Sequence, residues 1–315
     1  MPIPLGILAA SGAEAGVILA GYFAAGAGGG NQFSNILKFD GITKTNSTFG
    51  SISGGTQSGV GCIANSPTAA FYAGGSGIGG TFNTIRKMPF ANESTSDLGA
   101  TLSGPRNHPY GCANSGTAGY WAGGNNTSGT KQSDATKIAF SNDTSSTISS
   151  FFGAGRSGHT AMANSGTAGY FAGGEVSTRV STVTKLTFSN DTRADLATGL
   201  TAATEFAAGM ADSGTAGYIG GGEATGVGRT TTINKFAFPS DTRSTLGTGL
   251  SVARNFLAAI GFKGVAGYFV GGNTNTVEST AIDEFAFPSD TRTVISPSLA
   301  AARTSFSGCA NSGVL

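Results

Sequence analysis

Charge is what this sequence has least of. Of 315 residues, 18 are Lys or Arg and 17 are Asp or Glu, which leaves a net charge of +1 and a charged fraction of 11%. An average soluble domain carries about 25%. Without clustered Lys and Arg to neutralise phosphates, the chain is a poor nucleic-acid binder. Disorder is excluded as well, because it needs low hydrophobicity and high net charge, and here 39% of residues are hydrophobic. Cysteine is scarce too. Cys62, Cys112 and Cys309 are odd in number and about 50 or more residues apart. That argues against a disulfide framework and against a zinc cluster with closely spaced ligands. Each cysteine sits in a GCIAN or GCAN context, which fits a small buried side chain.

A long unbroken apolar run is also missing. The opening MPIPLGILAASGAEAGVILAGYFAA is apolar but is interrupted by Pro2, Pro4, four glycines and Glu14. A membrane span needs about 20 apolar residues. A secretory leader begins with basic residues, and the first cation here is Lys38. The segment therefore reads as a tail, residues 1–16, followed by a buried strand. No membrane insertion is expected.

Glycine, by contrast, is abundant at 52 residues. It has no three-residue period, so a collagen helix is excluded. It does follow a longer period, and internal repeats decide a fold before local features do. AGYFAAG at Ala20 returns as AAFYAGG, AGYWAGG, AGYFAGG, AGYIGGG and AGYFVGG. The marker aromatics are Tyr22, Phe71, Tyr120, Tyr170, Tyr218 and Tyr268, 48 to 50 residues apart. A second aromatic follows 17 to 20 residues later: Phe39, Phe90, Phe140, Phe188, Phe238 and Phe287. In five repeats an acid stands three residues beyond it, as Glu93, Asp143, Asp191, Asp241 and Asp290. These acids suit a turn, where a short carboxylate bonds its own backbone.

Each repeat thus holds four short strands, A to D, of the types HTAMANS, AGYFAGG, TVTKLTF and TRADLATGL, bounded by Gly, Ser, Asn and Asp turns. Four-stranded units of this length predict a β-propeller. From Tyr22 to Leu315 there are 294 residues, enough for six repeats of 49. The last segment, SFSGCANSGVL, is a strand A with no strand B behind it. The first, VILAGYFAAG, is a strand B with no strand A before it. The expectation is an all-β, six-bladed propeller over residues 17–315. Its C-terminal strand would join the N-terminal blade, which leaves no open sheet edge. The paired aromatics would form the blade-to-blade core, at about 1.5–3 kcal/mol for each large side chain buried.

On these residues the chain resembles the kelch-repeat propellers, which pair a Tyr-x-x-Gly-Gly strand with a later aromatic strand and often place Arg before strand A. Arg106, Arg156 and Arg254 each lie 14 residues before a strand-B Tyr, and Arg303 lies six before Cys309 as Arg106 lies six before Cys112. Gln57 and Thr204 occupy that place in the other two repeats. The strand-D tryptophan of the family is missing, since the one tryptophan, Trp121, sits in strand B. The charge-poor Gly/Ser/Thr/Asn blades also look like propellers of tailed-bacteriophage virion proteins.

Enzymatic signatures are thin. His108 and His159 are the two histidines, and no further ligands or acid–base partners are seen to converge on them. The Ser-x-Asp turns lack the Gly and Trp of a sialidase box. The Gly-Gly pairs lead into no helix that would cradle a phosphate. No cofactor is expected. Two binding features remain. The four arginines would form an anion-binding ring near the axis, or instead hydrogen-bond from blade to blade. The B–C and D–A loops vary among repeats and share one face, and loops on a rigid scaffold often carry recognition. Asn125, Asn126, Lys131, Glu175, Arg179, Glu223, Arg229 and Glu278 lie in those loops.

The resemblance to phage propellers implies a non-enzymatic structural or adhesion protein of a virion, made in the host cytoplasm. Its partners would be other virion proteins, held through residues 1–16 and one face, together with a host-surface glycan. A carbohydrate-binding propeller at the cell surface is the alternative, and a propeller enzyme ranks last.

Overall fold

The computed structural model describes residues 19–312. Within that span it is all-β, with six four-stranded antiparallel blades. Blade 1 joins Ser307–Ala310 (A) to Ala20–Ala24 (B), Asn35–Asp40 (C) and Asn46–Ser51 (D). Blade 2 runs Gln57–Asn65, Ala69–Gly77, Thr84–Pro89 and Ser96–Thr101. Blade 3 runs Tyr110–Asn114, Ala118–Ala122, Ala135–Ala139 and Thr144–Ile148, and blade 4 Thr160–Asn164, Ala168–Ala172, Val183–Thr187 and Thr192–Asp195. Blade 5 runs Ala208–Asp212, Ala216–Gly220, Ile233–Ala237 and Thr242–Thr245. Blade 6 runs Ala258–Phe262, Ala266–Val270, Ile282–Ala286 and Thr291–Val294.

The ring closes as the repeat count predicted. Strand A of blade 1 comes from the C-terminal end and pairs with the first strand, Tyr22 opposite Cys309. Each strand A also packs on its two neighbours around the axis, with blade 1 between blades 6 and 2. The proposed docking tail, residues 1–16, lies outside the described residues.

The blades are held together by the paired aromatics. Each strand-B aromatic meets the strand-C phenylalanine of the next blade: Tyr22–Phe90, Phe71–Phe140, Tyr120–Phe188, Tyr170–Phe238 and Tyr218–Phe287 stack with centroids 5.1 to 5.5 Å apart. Tyr268 closes the circle on Phe39 at 4.8 Å, tilted by 57°. Such pairs are worth about 0.5–1.5 kcal/mol beyond the area they bury.

The acid of the C–D turn has a larger role than shaping its own turn. Its residue adopts positive φ, between +53° and +58°, and its carboxylate crosses to the preceding blade. Tyr120 donates its hydroxyl to Asp191 at 2.7 Å, and Lys137 binds the other oxygen at 2.6 Å. Tyr170 and Lys185 hold Asp241, and Tyr218 and Lys235 hold Asp290, in the same way. Tyr22 and Lys38 share Glu93. Burial beside the carboxylate raises each of these tyrosines well above its ordinary pKa, so each remains a hydroxyl donor. Turn shaping falls to the neighbouring asparagine, as where Asn142 and Asn190 accept from Thr144 N and Thr192 N.

Two seams depart from this plan. At the closing seam the charges are exchanged: Glu284 stands at the lysine position of blade 6, and Lys44 reaches it from blade 1 at 2.7 Å. In blade 2, Phe71 replaces the tyrosine. Asp143 keeps Lys87 at 2.7 Å, but its second oxygen is buried without a partner.

The A–B turns are stitched across blades as well. The side chains of Asn65, Asn114, Asn164 and Asp212 accept from the turn amides of Gly116, Gly166, Gly214 and Gly264 in the following blade, at 2.6 to 2.9 Å. This is why the ANSGT turns are nearly identical.

Candidate binding face

The D–A loops approach the axis opposite the stitched turns. Six equivalent residues there have positive φ: Gly59, His108, Gly158, Phe206, Phe256 and Ser305, at +52° to +66°. Non-glycine residues seldom take this conformation, and bulky ones rarely. It lets five of the six amides donate to the carbonyl of the preceding one. Five such bonds of 2.7 to 3.0 Å run Gly59 to Ser305, His108 to Gly59, Phe206 to Gly158, Phe256 to Phe206 and Ser305 to Phe256. At Gly158 a Cβ would lie 3.0 Å from the Phe206 ring, so a side chain there would require the ring to shift.

Three side chains of this ring gather at the mouth. Phe206 and Phe256 stack with centroids 3.9 Å apart, and His108 lies 5.9 and 5.8 Å from them. All three are half-buried. Below them lies a cavity of about 40 Å³ lined by strand-A residues such as Cys62, Thr160, Ala208 and Ala259. Burial pushes His108 down to about 4. His159 is fully buried against Tyr110, Phe152 and Phe171, and burial and the nearby Arg156 hold it well below the usual histidine range. Both imidazoles are therefore neutral at pH 7. The three cysteines are buried and unbridged. Among the described residues no three His, Cys, Asp or Glu side chains cluster to hold a metal.

Around the mouth, each B–C loop of blades 3 to 6 folds back onto the D–A loop. Asn125 bridges Asn107 and Lys131, Glu175 bridges Ser157 and Arg179, and Asn273 bridges Asn255 and Glu278. Glu223 pairs with Glu205 and Arg229 in blade 5. The sequence-derived cations do lie together here, but they are tied between blades. Lys131 reaches Glu175 at 2.9 Å. Arg179 reaches Glu205 at 2.7 Å and Glu223 at 2.8 Å. Arg229 donates to Asn255 Oδ1 at 3.1 Å and to the Thr274 carbonyl. Asn126 shapes its own loop by accepting from Ser128 N and Thr130 N. The Oδ1 atoms of Asn107 and Asn125 and Nε2 of His108 are buried without a protein partner.

The anion-binding ring expected of Arg106, Arg156, Arg254 and Arg303 does not form. All four are buried, and each guanidinium turns inside its own blade rather than toward the axis or the next blade. Arg106 donates to the carbonyls of Gly123 and Asp134 and pairs with the Asp134 carboxylate. Arg156 reaches Thr184 Oγ1 at 3.3 Å and lies over the Phe152 ring. Arg254 meets the Phe269 carbonyl and Asp283, both side chains fully buried. Arg303 binds the carbonyls of Ala25 and Asn35 and Asn35 Oδ1, over the Phe33 ring. The D–A loop bends before strand A begins, so it aims the side chain back between strands.

Sequence reasoning missed a fifth buried arginine. Arg86 enters blade 2 from strand C and meets Gln57 and Ser53. The signal was available: Gln57 lacks the arginine charge, and Arg86 is a cation where other strands C carry Leu, Thr, Asn or Asp.

No family model matches the chain, and no curated protein matches it. Among solved structures it is similar to one described as the structure of YjhT, with a TM-score of 0.67 over 83% of this chain and 91% of that one, at 13% identity. At that identity the likeness concerns the kelch-like propeller fold alone.

Proposed function

We propose that this protein is a non-enzymatic recognition and assembly module, a structural or adhesion component of a virus particle, which meets its partner through the D–A/B–C face. The observation that carries this reading is the contrast between faces on one closed disc. The A–B and C–D turns are spent on cross-blade bonds and repeat almost unchanged. The opposite face varies from blade to blade and frames a half-buried aromatic mouth. Rings flanked by amides with unused acceptors suit the apolar and hydroxyl faces of a sugar, and on that ground the same face supports the alternative of a cell-surface carbohydrate-binding propeller. The phage setting rests on the charge-poor blade style alone.

The test compares the intact protein with Phe256→Ala and Asn125→Ala on a glycan array and in co-sedimentation with candidate virus particles. Loss of binding in both variants, with unchanged unfolding midpoints, is the expected result. Equal binding by all three proteins would overturn the choice of face. Deletion of residues 1–16 tests the docking tail: particle association should fall while glycan binding persists.

A further inference from the structure

Each blade has an internal slot between the D–A loop and strands B and C, and five of the six hold a buried guanidinium. Four come from Arg106, Arg156, Arg254 and Arg303; in blade 2, Arg86 enters from the opposite wall. Blade 5 supplies none. Thr204 stands at the arginine position and Asn234 at the Arg86 position, and the space they leave is a cavity of about 170 Å³. One water needs roughly 10–15 Å³ on such a measure, so the cavity holds far more than one.

The walls of this slot match those that hold arginine elsewhere. Gly221 N donates to Thr232 O as Gly123 N donates to Asp134 O. Thr201 N donates to Asn234 Oδ1 as Ser103 N donates to Thr136 Oγ1. In blade 3 the Arg106 guanidinium uses Gly123 O, Asp134 O and Ser103 Oγ. Their counterparts Gly221, Thr232 and Thr201 all line the empty slot. Its floor, Thr204 and Asn234, is buried. Its rim includes Val227, which is 69% exposed. No carboxylate is required, since Arg303 is held by carbonyl and amide oxygens alone. Arg243 touches Thr201 and Asn234 Oδ1 from strand D. In blades 4 and 6, which bury Arg156 and Arg254, the residues at that place, Arg193 and Arg292, turn instead to the carbonyls of Ser150 and Gly249, so Arg243 would have to turn likewise to free both acceptors for a guest.

From these observations we propose that the blade-5 cavity is a guanidinium-binding site, taking either an arginine side chain of a partner protein or a small guanidinium-bearing molecule. This stands apart from the choice of partner for the axial mouth.

The test titrates the full chain with methylguanidinium, methylammonium and urea, followed by chemical-shift perturbation or calorimetry. Methylguanidinium should bind once per chain and at least tenfold more tightly than either control. Thr204→Arg fills the slot from within; it should abolish binding and raise the unfolding temperature. Thr232→Asp, which places a carboxylate where Asp134 stands, should tighten binding at least fivefold and keeps the proposal testable if Thr204→Arg fails to fold. A capped Gly-Arg-Gly peptide and its citrulline analogue separate the sources. Binding of the arginine peptide alone indicates a partner side chain, whereas binding of methylguanidinium without the peptide indicates a small molecule. Equal response to all three small probes, or undiminished binding by a folded Thr204→Arg, would show a merely hydrated cavity and overturn the proposal.

Discussion

Phe71→Tyr should make the protein more stable, although it inserts a polar atom into a fully buried seam. In the other four blades that carry the acid at the C–D turn, a tyrosine hydroxyl and a lysine both bind it, on separate oxygens of Asp191, Asp241 and Asp290 and on one oxygen of Glu93, with O···O distances of 2.7 to 2.8 Å. In blade 2 the lysine is present and the ring is placed alike. Phe71 stacks on Phe140 at 5.1 Å, and Lys87 sits 5.4 Å from the Phe71 ring, as Lys137 sits 5.4 Å from Tyr120. What is missing is one donor, and Asp143 Oδ1 is left buried and unpaired. A hydrogen bond to a charged group contributes about 1.5–3 kcal/mol, and an orphaned buried acceptor costs about 1–3. After desolvation of the new hydroxyl, a gain of about 1–2 kcal/mol remains.

Unfolding entropy of about 2.1 cal/mol/K per residue over this length converts 1 kcal/mol to about 1.5 °C. Phe71→Tyr should therefore raise the midpoint by ~1.5–3 °C. The converse change, Tyr170→Phe, strips Asp241 of its hydroxyl donor and should lower it by a similar amount. Calorimetry or urea unfolding of both variants beside the parent reads the two signs. If Phe71→Tyr destabilises while Tyr170→Phe is neutral, the shared carboxylate does not hold the seams and the reasoning fails.

Three further outcomes follow from the same geometry. Arg254→Met leaves Asp283 charged in a fully buried slot and should cost about 3–5 kcal/mol, seen as a fall in the urea midpoint; an unchanged midpoint would mean that the pair is not buried. Lys44→Glu and Glu284→Lys each set like charges at the closing seam and should each cost about 1 kcal/mol, while the double exchange should recover most of the loss, which a double-mutant cycle measures. His108 and His159 are held neutral in the fold, with pKa values below the roughly 6.5 of an unfolded histidine. Stability is then complete above pH 6.5 and falls with acidification, because the unfolded chain takes up protons that the fold refuses. The slope is about 1.4 kcal/mol per pH unit for each histidine, and it ends for His108 near pH 4. His159→Phe should remove one such contribution between pH 6 and 5, and identical slopes in urea midpoints would contradict this.

The ring was legible because its evidence is redundant. Tyr22, Tyr120, Tyr170, Tyr218 and Tyr268 recur at nearly fixed spacing, and a strand A at one chain end lacks the strand B found at the other. Side-chain direction was not legible. Position before strand A puts Arg106 and its counterparts near the axis, but a bend in the D–A loop, with positive φ two residues later at His108, sends the guanidinium into the blade. From sequence the acids suit a turn alone, since nothing local shows that Asp191 touches Tyr120, 71 residues away. The loop cations Lys131, Arg179 and Arg229 were correctly gathered on one face, but their pairing to Glu175, Glu205 and Asn255 depends on the rotation between neighbouring blades, which spacing does not encode.

Repetition also makes departures informative, because each position has five internal controls. Gln57 lacks a guanidinium, and Arg86 supplies one from across the slot. Lys44 breaks the acid rule, and Glu284 breaks the lysine rule at the same contact, so the exchanged pair makes the closing seam chemically unlike the other five. A mispaired blade 1 would set Lys44 against a lysine, and a mispaired blade 6 would set Glu284 against an acid; the exchange thus favours closure of blade 6 on blade 1 over any other seam. Compensated departures of this kind preserve the fold and point to nothing further. Phe71 is different, because no neighbour has changed to match it, and at Thr204 the loss is met only in part, by Arg243 donating to Thr201 Oγ1 and Asn234 Oδ1 from strand D. At Phe71 the result is one buried carboxylate oxygen without a partner. At Thr204 the result is a formed cavity that keeps the carbonyl acceptors of Gly221 and Thr232 and opens to solvent beside Val227, and this accessibility makes blade 5 a site for recognition as well as a place of lost stability.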